Sequence, residues 1–172
     1  HNKKSRELGT KQIYEFIKEL KAAGFVDIKV TGGEPFSRPD IFKIISFITQ
    51  QGIKVDVSTN ASLIDSQRAF RLKSIGVDMV HVGLDGHEKK IQESLRGKGS
   101  FQATIRGIKA LVKADIYVRI GTVLFLGNQK YLTEMVDQAV GLGVNEIAFS
   151  ILKPIGRMKN LSQLTIFSYK EL

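Results

Sequence analysis

Two glycines, a carboxylate and a proline stand together in the segment Thr31-Gly32-Gly33-Glu34-Pro35. Because glycine has no side chain, two in succession let the backbone approach a ligand closely and offer it N–H and C=O groups. The Glu34 carboxylate is suited to accept hydrogen bonds from a ligand's ammonium group, and Pro35 stiffens the exit from the segment. A tight turn with an exposed glutamate explains the same residues, and the pattern alone leaves both interpretations open.

Further clusters of glycine, carboxylate, amide and hydroxyl residues follow other apolar runs of the chain. They are Ser58-Thr59-Asn60, Asp85-Gly86-His87, Gly127-Asn128 and Lys153-Pro154-Ile155-Gly156-Arg157. Asp85 either orients a polar group or caps the segment after its strand. His87 is a lone histidine in a loop and is more typical of an incidental residue than of a catalytic one.

The runs between these clusters predict five strands alternating with five helices. Predicted strands are Val26–Val30, Ile53–Val57, Met79–Leu84, Ile116–Leu124 and Glu146–Leu152. Predicted helices start near Thr10, Pro39, Asp65, Ser100 and Tyr131, with an irregular stretch before Ser100. This alternation indicates an α/β fold of parallel βαβ units with right-handed crossovers. Either a doubly wound sheet or part of a (β/α) barrel fits, and both place the active site at the carboxyl ends of the strands.

Composition limits the classes of function. The 172 residues indicate one domain, 1–172, and contain no cysteine, which excludes disulfides, thiolate zinc sites and ligation of an iron–sulfur cluster by this chain. No apolar run approaches the ~20 residues of a membrane span. These residues contain no positively charged leader followed by an apolar run, so we expect a cytoplasmic protein. The net charge of +9 comes from scattered lysines without interleaved aromatic residues, which is more typical of a solvated surface than of a nucleic-acid site.

Four segments in fixed order resemble the core of the radical S-adenosylmethionine (SAM) superfamily. They are VTGGEPFSRPDIFKII, VDVSTNASLI, MVHVGLDGHEKKIQESLRGKGSF and EIAFSILKPIGR, and the resemblance runs from about Glu7 to Arg157. The branch that they resemble includes coenzyme PQQ synthesis protein E, the haem d1 synthesis proteins and the sulfatase-maturing enzymes. The GGEP motif alone is moderately specific for the superfamily, whereas the ordered set of four segments is highly specific for it.

The resemblance implies a partial (β/α)6 TIM-like barrel, of which five βα units are present here in sequential order. It implies binding of SAM and, in the full-length protein only, a [4Fe–4S] cluster held by a Cys-x3-Cys-x2-Cys loop. The family uses the cluster and SAM to generate a 5′-deoxyadenosyl radical that abstracts hydrogen from a substrate. This sequence begins at His1, with no first strand and no cysteine loop, so we expect a domain truncated at its N-terminus; a natural relative without a cluster is the other interpretation.

The same resemblance assigns roles to individual residues. Gly32, Gly33 and Glu34, within the segment Thr31 to Pro35, are implied to contact the amino group of SAM, and Ser58 and Asn60 its ribose or carboxylate. Gly83 stands where many relatives have serine. The remaining implied contacts are Asp85, Arg96 for the SAM carboxylate, Thr122 for ribose, and Ile151 with Leu152 against adenine. Turn chemistry, an ordinary surface arginine and plain core packing are the alternatives for these positions.

Substrate and partners are implied only in outline. The branch acts on peptides or on tetrapyrrole-like molecules, and it receives electrons from a donor such as ferredoxin or flavodoxin. A basic α/β module that binds RNA is the alternative in another class, and it predicts lysine and arginine clustered on one face. A barrel enzyme that binds a phosphorylated substrate at a helix N-terminus is a third possibility, although Glu34 would repel an anion there.

Overall fold

Five parallel strands pair in the order in which they occur along the chain. A computed structural model describes residues 7–151. Its sheet contains β1 (Asp27–Val30), β2 (Lys54–Thr59), β3 (Met79–Gly83), β4 (Tyr117–Leu124) and β5 (Glu146–Ile151). Neighbouring strands are parallel, and their order does not reverse anywhere in the sheet. This order confirms the partial-barrel prediction and excludes the doubly wound alternative, which requires a reversal.

One helix precedes β1, and the others occupy the connections between the strands. They are α1 (Thr10–Ala22), α2 (Ile41–Gln50), α3 (Ser66–Ile75), α4 (Lys89–Arg96), α5 (Ser100–Lys113) and α6 (Leu132–Leu142), with short 3-10 turns at Pro35–Ser37 and Gln129–Tyr131. The stretch predicted to be irregular therefore contains a sixth helix, α4. Ser100 is the first residue of α5, where the sequence predicted that a helix starts, and Gly99 is its N-cap.

The helices cover one face of the sheet and leave the other open. Valine and isoleucine side chains at alternate strand positions are fully or almost fully buried against the helices: Val55, Val57, Val80, Val82, Val118 and Ile120. The opposite face carries polar residues, including the pairs His81–Asp56 (3.4 Å) and Arg119–Glu146 (3.0 Å). Alternation along a strand sends successive side chains to opposite faces, so the two faces differ in polarity throughout.

Helix α5 lies directly against the loop that leaves β2. A Cβ atom added at Gly107 would lie 2.1 Å from the Ala61 carbonyl oxygen, so only glycine fits at this contact. Ala61 has a φ of +57°, and the Thr104 hydroxyl donates a hydrogen bond to the Asn60 carbonyl oxygen at 2.9 Å. These contacts fix the loop after β2 at the carboxyl edge of the sheet.

An ion pair at the start of α2 connects this helix to α1. Arg38 Nε donates to Asp40 Oδ1 at 2.6 Å, and the Thr10 hydroxyl donates to the same carboxylate. The hydrogen bond from Arg38, followed by that from Thr10, lowers the pKa of Asp40 from 3.8 to about 2. The junction therefore depends on the ionised form of Asp40.

Strand β1 lies at the edge of the described sheet. It pairs only with β2 among the described strands, and Val26, immediately before it, is 69% exposed. No helix within residues 7–151 is long and apolar enough to cross a bilayer. The predictions for Leu152 and for the strand exit 153–157 concern residues outside the described part of the chain.

Candidate active site

The loop after β1 presents open backbone at the carboxyl edge of the sheet. Thr31, Gly32 and Gly33 are exposed, and a Cβ atom added at either glycine would meet no atom within 4 Å. Gly32 has a φ of +151°, a conformation that favours glycine. The loop therefore has room for a ligand above it, and its conformation accounts for the first glycine of the pair.

Glu34 ties the loop after β1 to the loop after β2. Its carboxylate accepts the Thr59 hydroxyl at 2.7 Å and the Asn60 backbone N–H at 2.9 Å. It also accepts the Phe36 N–H at 3.2 Å at the start of the 3-10 turn that contains the buried Pro35. A carboxylate has about four acceptor sites, so three internal donors leave about one for a ligand. Glu34 is consequently a structural residue as well as a candidate ligand contact.

The loop after β2 uses its polar groups differently. Asn60 Oδ1 accepts the Ser62 N–H at 2.8 Å, which is the turn chemistry that the sequence left open for this residue. Ser58 lies on the open face of the sheet, half-buried, and its hydroxyl has no hydrogen-bond partner among residues 7–151. Of the two predicted contacts, Ser58 is thus the one whose side chain has no other role in the described part of the chain.

Asp85 is buried at the end of β3, and all its polar groups are paired. The residue is 1% exposed, and its carboxylate accepts Arg96 Nε at 2.6 Å and the Val123 N–H at 2.8 Å. Its own N–H donates to Gln92 Oε1 at 2.7 Å, and its carbonyl accepts Asn128 Nδ2 at 2.8 Å. Asp85 therefore both orients a polar group and holds the segment after its strand, the two roles between which the sequence could not decide.

Arg96, the last residue of α4, lies over β3. Its side chain is 41% exposed, and its terminal guanidinium nitrogens have no hydrogen-bond partner in the described part of the chain. A Cβ atom at Gly83 would lie 3.2 Å from one of these nitrogens. The guanidinium therefore approaches the space that a serine at position 83 would use.

The structure contradicts the predicted orientation of Thr122. This residue is 1% exposed, and its hydroxyl donates to the Leu84 carbonyl oxygen at 2.7 Å. It shares strand parity with Val118 and Ile120, whose side chains pack beneath the helices. Thr122 therefore points away from the open face, and its hydroxyl is already used in the fold. Ile151, at the end of β5, is exposed.

Three residues that the sequence did not single out also lie at this edge. Gln92, Lys98 and Ser100 line a cavity of about 380 Å³ that also contacts Asn60 and Arg96. Lys98 and Ser100 belong to the stretch RGKGSF, whose two glycines and two cations could have indicated a binding site. Gln92 had no such signal, because a buried amide on a short helix does not follow hydrophobic periodicity.

Residues of this chain do not fit an iron–sulfur cluster. The sequence has no cysteine, and residues 7–151 contain no group of three or more histidine, aspartate or glutamate side chains arranged to hold a metal ion. Such clusters are held by thiolates. The cluster that the resemblance implies would need ligands from outside these 172 residues.

A one-sided parallel sheet with polar loops at its carboxyl edge defines a barrel-type α/β protein with its site at that edge. The profile of the radical SAM superfamily matches residues 1–139. The chain belongs to this superfamily, as the sequence predicted.

Two curated relatives illustrate the range of the family. The chain is 30% identical over 167 residues to the AdoMet-dependent heme synthase of Methanosarcina barkeri, covering 96% of this chain and 48% of the relative. It is 31% identical over 152 residues to the mycofactocin maturase MftC of Mycobacterium tuberculosis, covering 88% of this chain and 39% of the relative. The chain thus spans less than half the length of either protein.

Solved structures of SuiB from Streptococcus suis share the fold. SuiB bound to its precursor peptide SuiA superposes with a TM-score of 0.81 at 18% identity, over 97% of this chain and 37% of that one. SuiB bound to S-adenosylmethionine superposes with a TM-score of 0.76 at 20% identity, over 86% and 34%. At this identity the likeness confirms the fold class alone.

Proposed function

We propose that this chain is the SAM-binding core of a radical SAM enzyme. The observation that carries the proposal is the Arg96 guanidinium, which Asp85 holds at 2.6 Å beside Gly83 on the open side of the sheet. Its two terminal nitrogens have no acceptor among residues 7–151. A guanidinium with two parallel free donors suits a carboxylate, such as that of the methionine end of SAM.

The loop after β1 supports binding of the amino group of the same ligand. Its exposed backbone at Gly32 and Gly33 and the remaining acceptor site of Glu34 would take the ammonium hydrogens. Ser58 would contact ribose from the open face. Asn60 would contribute through the cavity it shares with Arg96, since its amide oxygen is engaged in a turn. Thr122 is not part of the proposed site, because its side chain is buried.

The proposed activity is hydrogen abstraction by a 5′-deoxyadenosyl radical in the full-length protein. Relatives named heme synthase and mycofactocin maturase support a tetrapyrrole or a peptide as the substrate class. We favour a peptide, because a maturase is among the relatives and a protein that shares the fold was solved with a precursor peptide bound. The reducing chemistry suits the cytoplasm, where thiols are kept reduced.

Calorimetric titration of the full-length protein tests the site. We expect Arg96→Ala to weaken SAM binding by more than about tenfold, because a hydrogen-bonded charge partner typically contributes ~2–5 kcal/mol. Binding of methylthioadenosine, which lacks the amino-acid end, should change by less than about twofold. Arg106→Ala, at an exposed arginine of α5, is the matched control. Equal SAM affinity in Arg96→Ala and in the parent protein would contradict the assignment.

An electron donor with an acidic surface, such as a ferredoxin or flavodoxin, is the proposed partner. Three adjacent helices, α2, α3 and α5, contain basic side chains and no acidic ones. They are Lys43, Arg68, Arg71, Lys73, Arg106, Lys109 and Lys113. Electrostatic complementarity speeds encounter with a partner of opposite charge. The sequence had presented these cations as scattered, since it did not show which helices are neighbours.

Two reductants distinguish this partner from the alternatives. Reversing Arg68, Arg71 and Arg106 to glutamate should slow flavodoxin-driven formation of 5′-deoxyadenosine by about tenfold and leave dithionite-driven formation unchanged. Reversing Lys11 and Lys18 of α1 to glutamate is the control.

The same basic face is the specific feature that favours the RNA-binding alternative. Salt-sensitive binding of a 20-nucleotide RNA, abolished by the three reversals, would support that function instead.

A further inference from the structure

The cavity at the N-terminus of α5 is lined by hydrogen-bond donors and cations. It has a volume of about 380 Å³, and both charged residues that line it, Arg96 and Lys98, are cationic. No carboxylate lines it among the described residues. The cavity is therefore built for negative charge, unlike the opposite end of the site, where Glu34 lies.

The start of α5 adds its own partial positive charge. The helix is 14 residues long, and its N-cap is Gly99, which has no side chain to cap the first turn. Uncapped N–H groups and the aligned peptide dipoles make such a helix end attractive to anions. The first helical residue, Ser100, has a buried hydroxyl that finds no partner among residues 7–151.

Gln92 supplies an independent indication of a ligand. It is 1% exposed and lines the cavity, and its Oε1 accepts the Asp85 N–H at 2.7 Å. Because an N–H can pair only with the amide oxygen, this bond fixes the orientation of the amide. Nε2 is then the group left to face the cavity, and it has no acceptor in the part of the chain that the structure describes. Gln92 as a whole is buried, and the polar groups of buried residues normally have partners.

One carboxylate cannot satisfy all these donors. Under the proposed function, on which this inference rests, the SAM carboxylate binds the terminal nitrogens of Arg96, which lie beside Gly83. Gln92 Nε2, Ser100 Oγ and Lys98 would then remain without a partner among the described residues. We propose that the cavity at the N-terminus of α5 binds the oxyanion group, a phosphate or a carboxylate, of a second ligand beside SAM, namely the substrate.

Calorimetric titration of the full-length protein with inorganic phosphate and with acetate, each with and without saturating SAM, tests this inference. We expect at least one of the two anions to bind, and to bind equally well when SAM is present. The stronger of the two identifies the anionic group of the substrate. Competition between the anion and SAM would show that the cavity holds only SAM's own carboxylate, and it would overturn the inference.

Two variants attribute the binding to this cavity. Gln92→Glu keeps the acceptor for the Asp85 N–H and replaces the donor Nε2 with an oxygen, so anion affinity should fall by about tenfold or more. Lys98→Ala, at an exposed residue, should reduce anion affinity about threefold to tenfold and leave SAM affinity unchanged. Lys109→Ala, on the same helix but outside the cavity, should change neither.

The result also separates this inference from the proposed function. A protein that binds phosphate through Lys98 but shows no affinity for SAM would retain the anion site and reject the SAM site. A protein that binds SAM but neither anion, or whose anion binding is unaffected by both variants, would retain the SAM site and reject the anion site.

Discussion

Glu34 illustrates how one side chain serves the fold and the candidate site together. Its carboxylate joins two strand exits through three hydrogen bonds, from Thr59, Asn60 and Phe36. The sequence left open the interpretation that Glu34 is an exposed residue of a tight turn, and the loss of an exposed side chain usually changes stability little. The three internal donors correct that expectation, because each would lose its partner in a variant without the carboxylate.

We therefore predict that Glu34→Ala lowers the free energy of unfolding by roughly 2–3 kcal/mol, since a buried or half-buried donor left unpaired costs ~1–3 kcal/mol. Glu34→Gln should lose about half as much, because the amide retains one acceptor oxygen. Urea unfolding followed by circular dichroism measures both. Glu15→Ala, at an exposed residue of α1, is the control and should change stability by less than about 0.5 kcal/mol. A loss that small in Glu34→Ala would show that the bonds to Glu34 contribute little.

Asp85 should act on SAM through Arg96. Asp85→Asn places an amide group where Arg96 Nε now meets a carboxylate oxygen, while the other oxygen still accepts the Val123 N–H. We expect SAM affinity in the full-length protein to fall about tenfold and methylthioadenosine affinity to stay within about twofold. Calorimetry with the two ligands makes the comparison. If the affinities for both ligands fell by the same factor, the role of Asp85 would be to maintain the fold of the carboxyl edge of the sheet.

The sequence predicted which residues lie at the site better than it predicted the direction of their side chains. The glycine pair, Glu34, Asp85 and Arg96 all lie at the carboxyl edge, because parallel strands bring their exits to one side. Thr122 was misplaced, although its parity with Val118 and Ile120 already indicated the helix-covered face. Gln92 could not be found, because its importance depends on a tertiary hydrogen bond to Asp85.

At the scale of elements, the contact between α5 and the loop after β2 fixes one wall of the site. Gly107→Ala would place a methyl group 2.1 Å from the Ala61 carbonyl oxygen, so the helix or the loop must move. We predict a loss of more than about 3 kcal/mol in the free energy of unfolding, as for overpacked core sites. Gly141→Ala in α6, where the added methyl meets no atom within 4 Å, is the matched control and should be neutral or stabilise by up to about 1 kcal/mol. Similar stabilities for the two variants would contradict the close contact.

The junction between α1 and α2 should give stability a specific dependence on pH. Because the pKa of Asp40 is lowered to about 2 in the folded chain, the ionised carboxylate stabilises the fold above pH ~4, and this contribution is lost as pH falls toward 2. Asp40→Asn should cost roughly 1–2 kcal/mol at neutral pH, less than the full shift implies because the side chain is partly exposed. Urea unfolding at several pH values should show the gap between variant and parent narrowing from pH 5 to pH 2. A gap that is constant with pH would assign the effect to packing.

The elements themselves were predictable where burial follows a simple period. Strands β2 to β4 and helices α2 and α5 carry regular apolar faces, and their existence was predicted correctly. Helix α4 was missed because it has eight residues and buries only Ile91 and Gln92, one of them polar. A helix so short and so highly charged forms because its neighbours hold it, which the local sequence does not show.

At the scale of the whole molecule, one continuous core should give one unfolding transition. Buried residues from α1, α2, α3, α5 and α6 and from β2 to β4 form a single cluster, with partly buried residues of β1 and β5 packed against it. We predict that circular dichroism and tyrosine fluorescence report the same midpoint in urea, as expected for a two-state domain. Two separated midpoints would show that the chain contains two independently folding units, contrary to the predicted single domain.

The overall architecture was predictable only in part. Alternation of strands and helices predicted parallel βα units, but it could not choose between a barrel series and a doubly wound sheet, since both have the same local pattern. The choice depends on the side of the sheet to which each helix returns. That choice is made by tertiary packing, here by the apolar core in which α1, α2, α3, α5 and α6 bury residues together with the valines of the sheet.

The strands pair in the same order in which they occur along the chain, and this order has a consequence for folding during translation. Each strand pairs with the one made just before it, from β1 to β5, so no strand must wait for a distant partner. Domains form progressively as the chain leaves the ribosome at about 5–20 residues per second. Such a sheet can add one strand at a time at the same edge while translation continues. The most recently synthesised strand is then always the one whose outer edge is still unpaired.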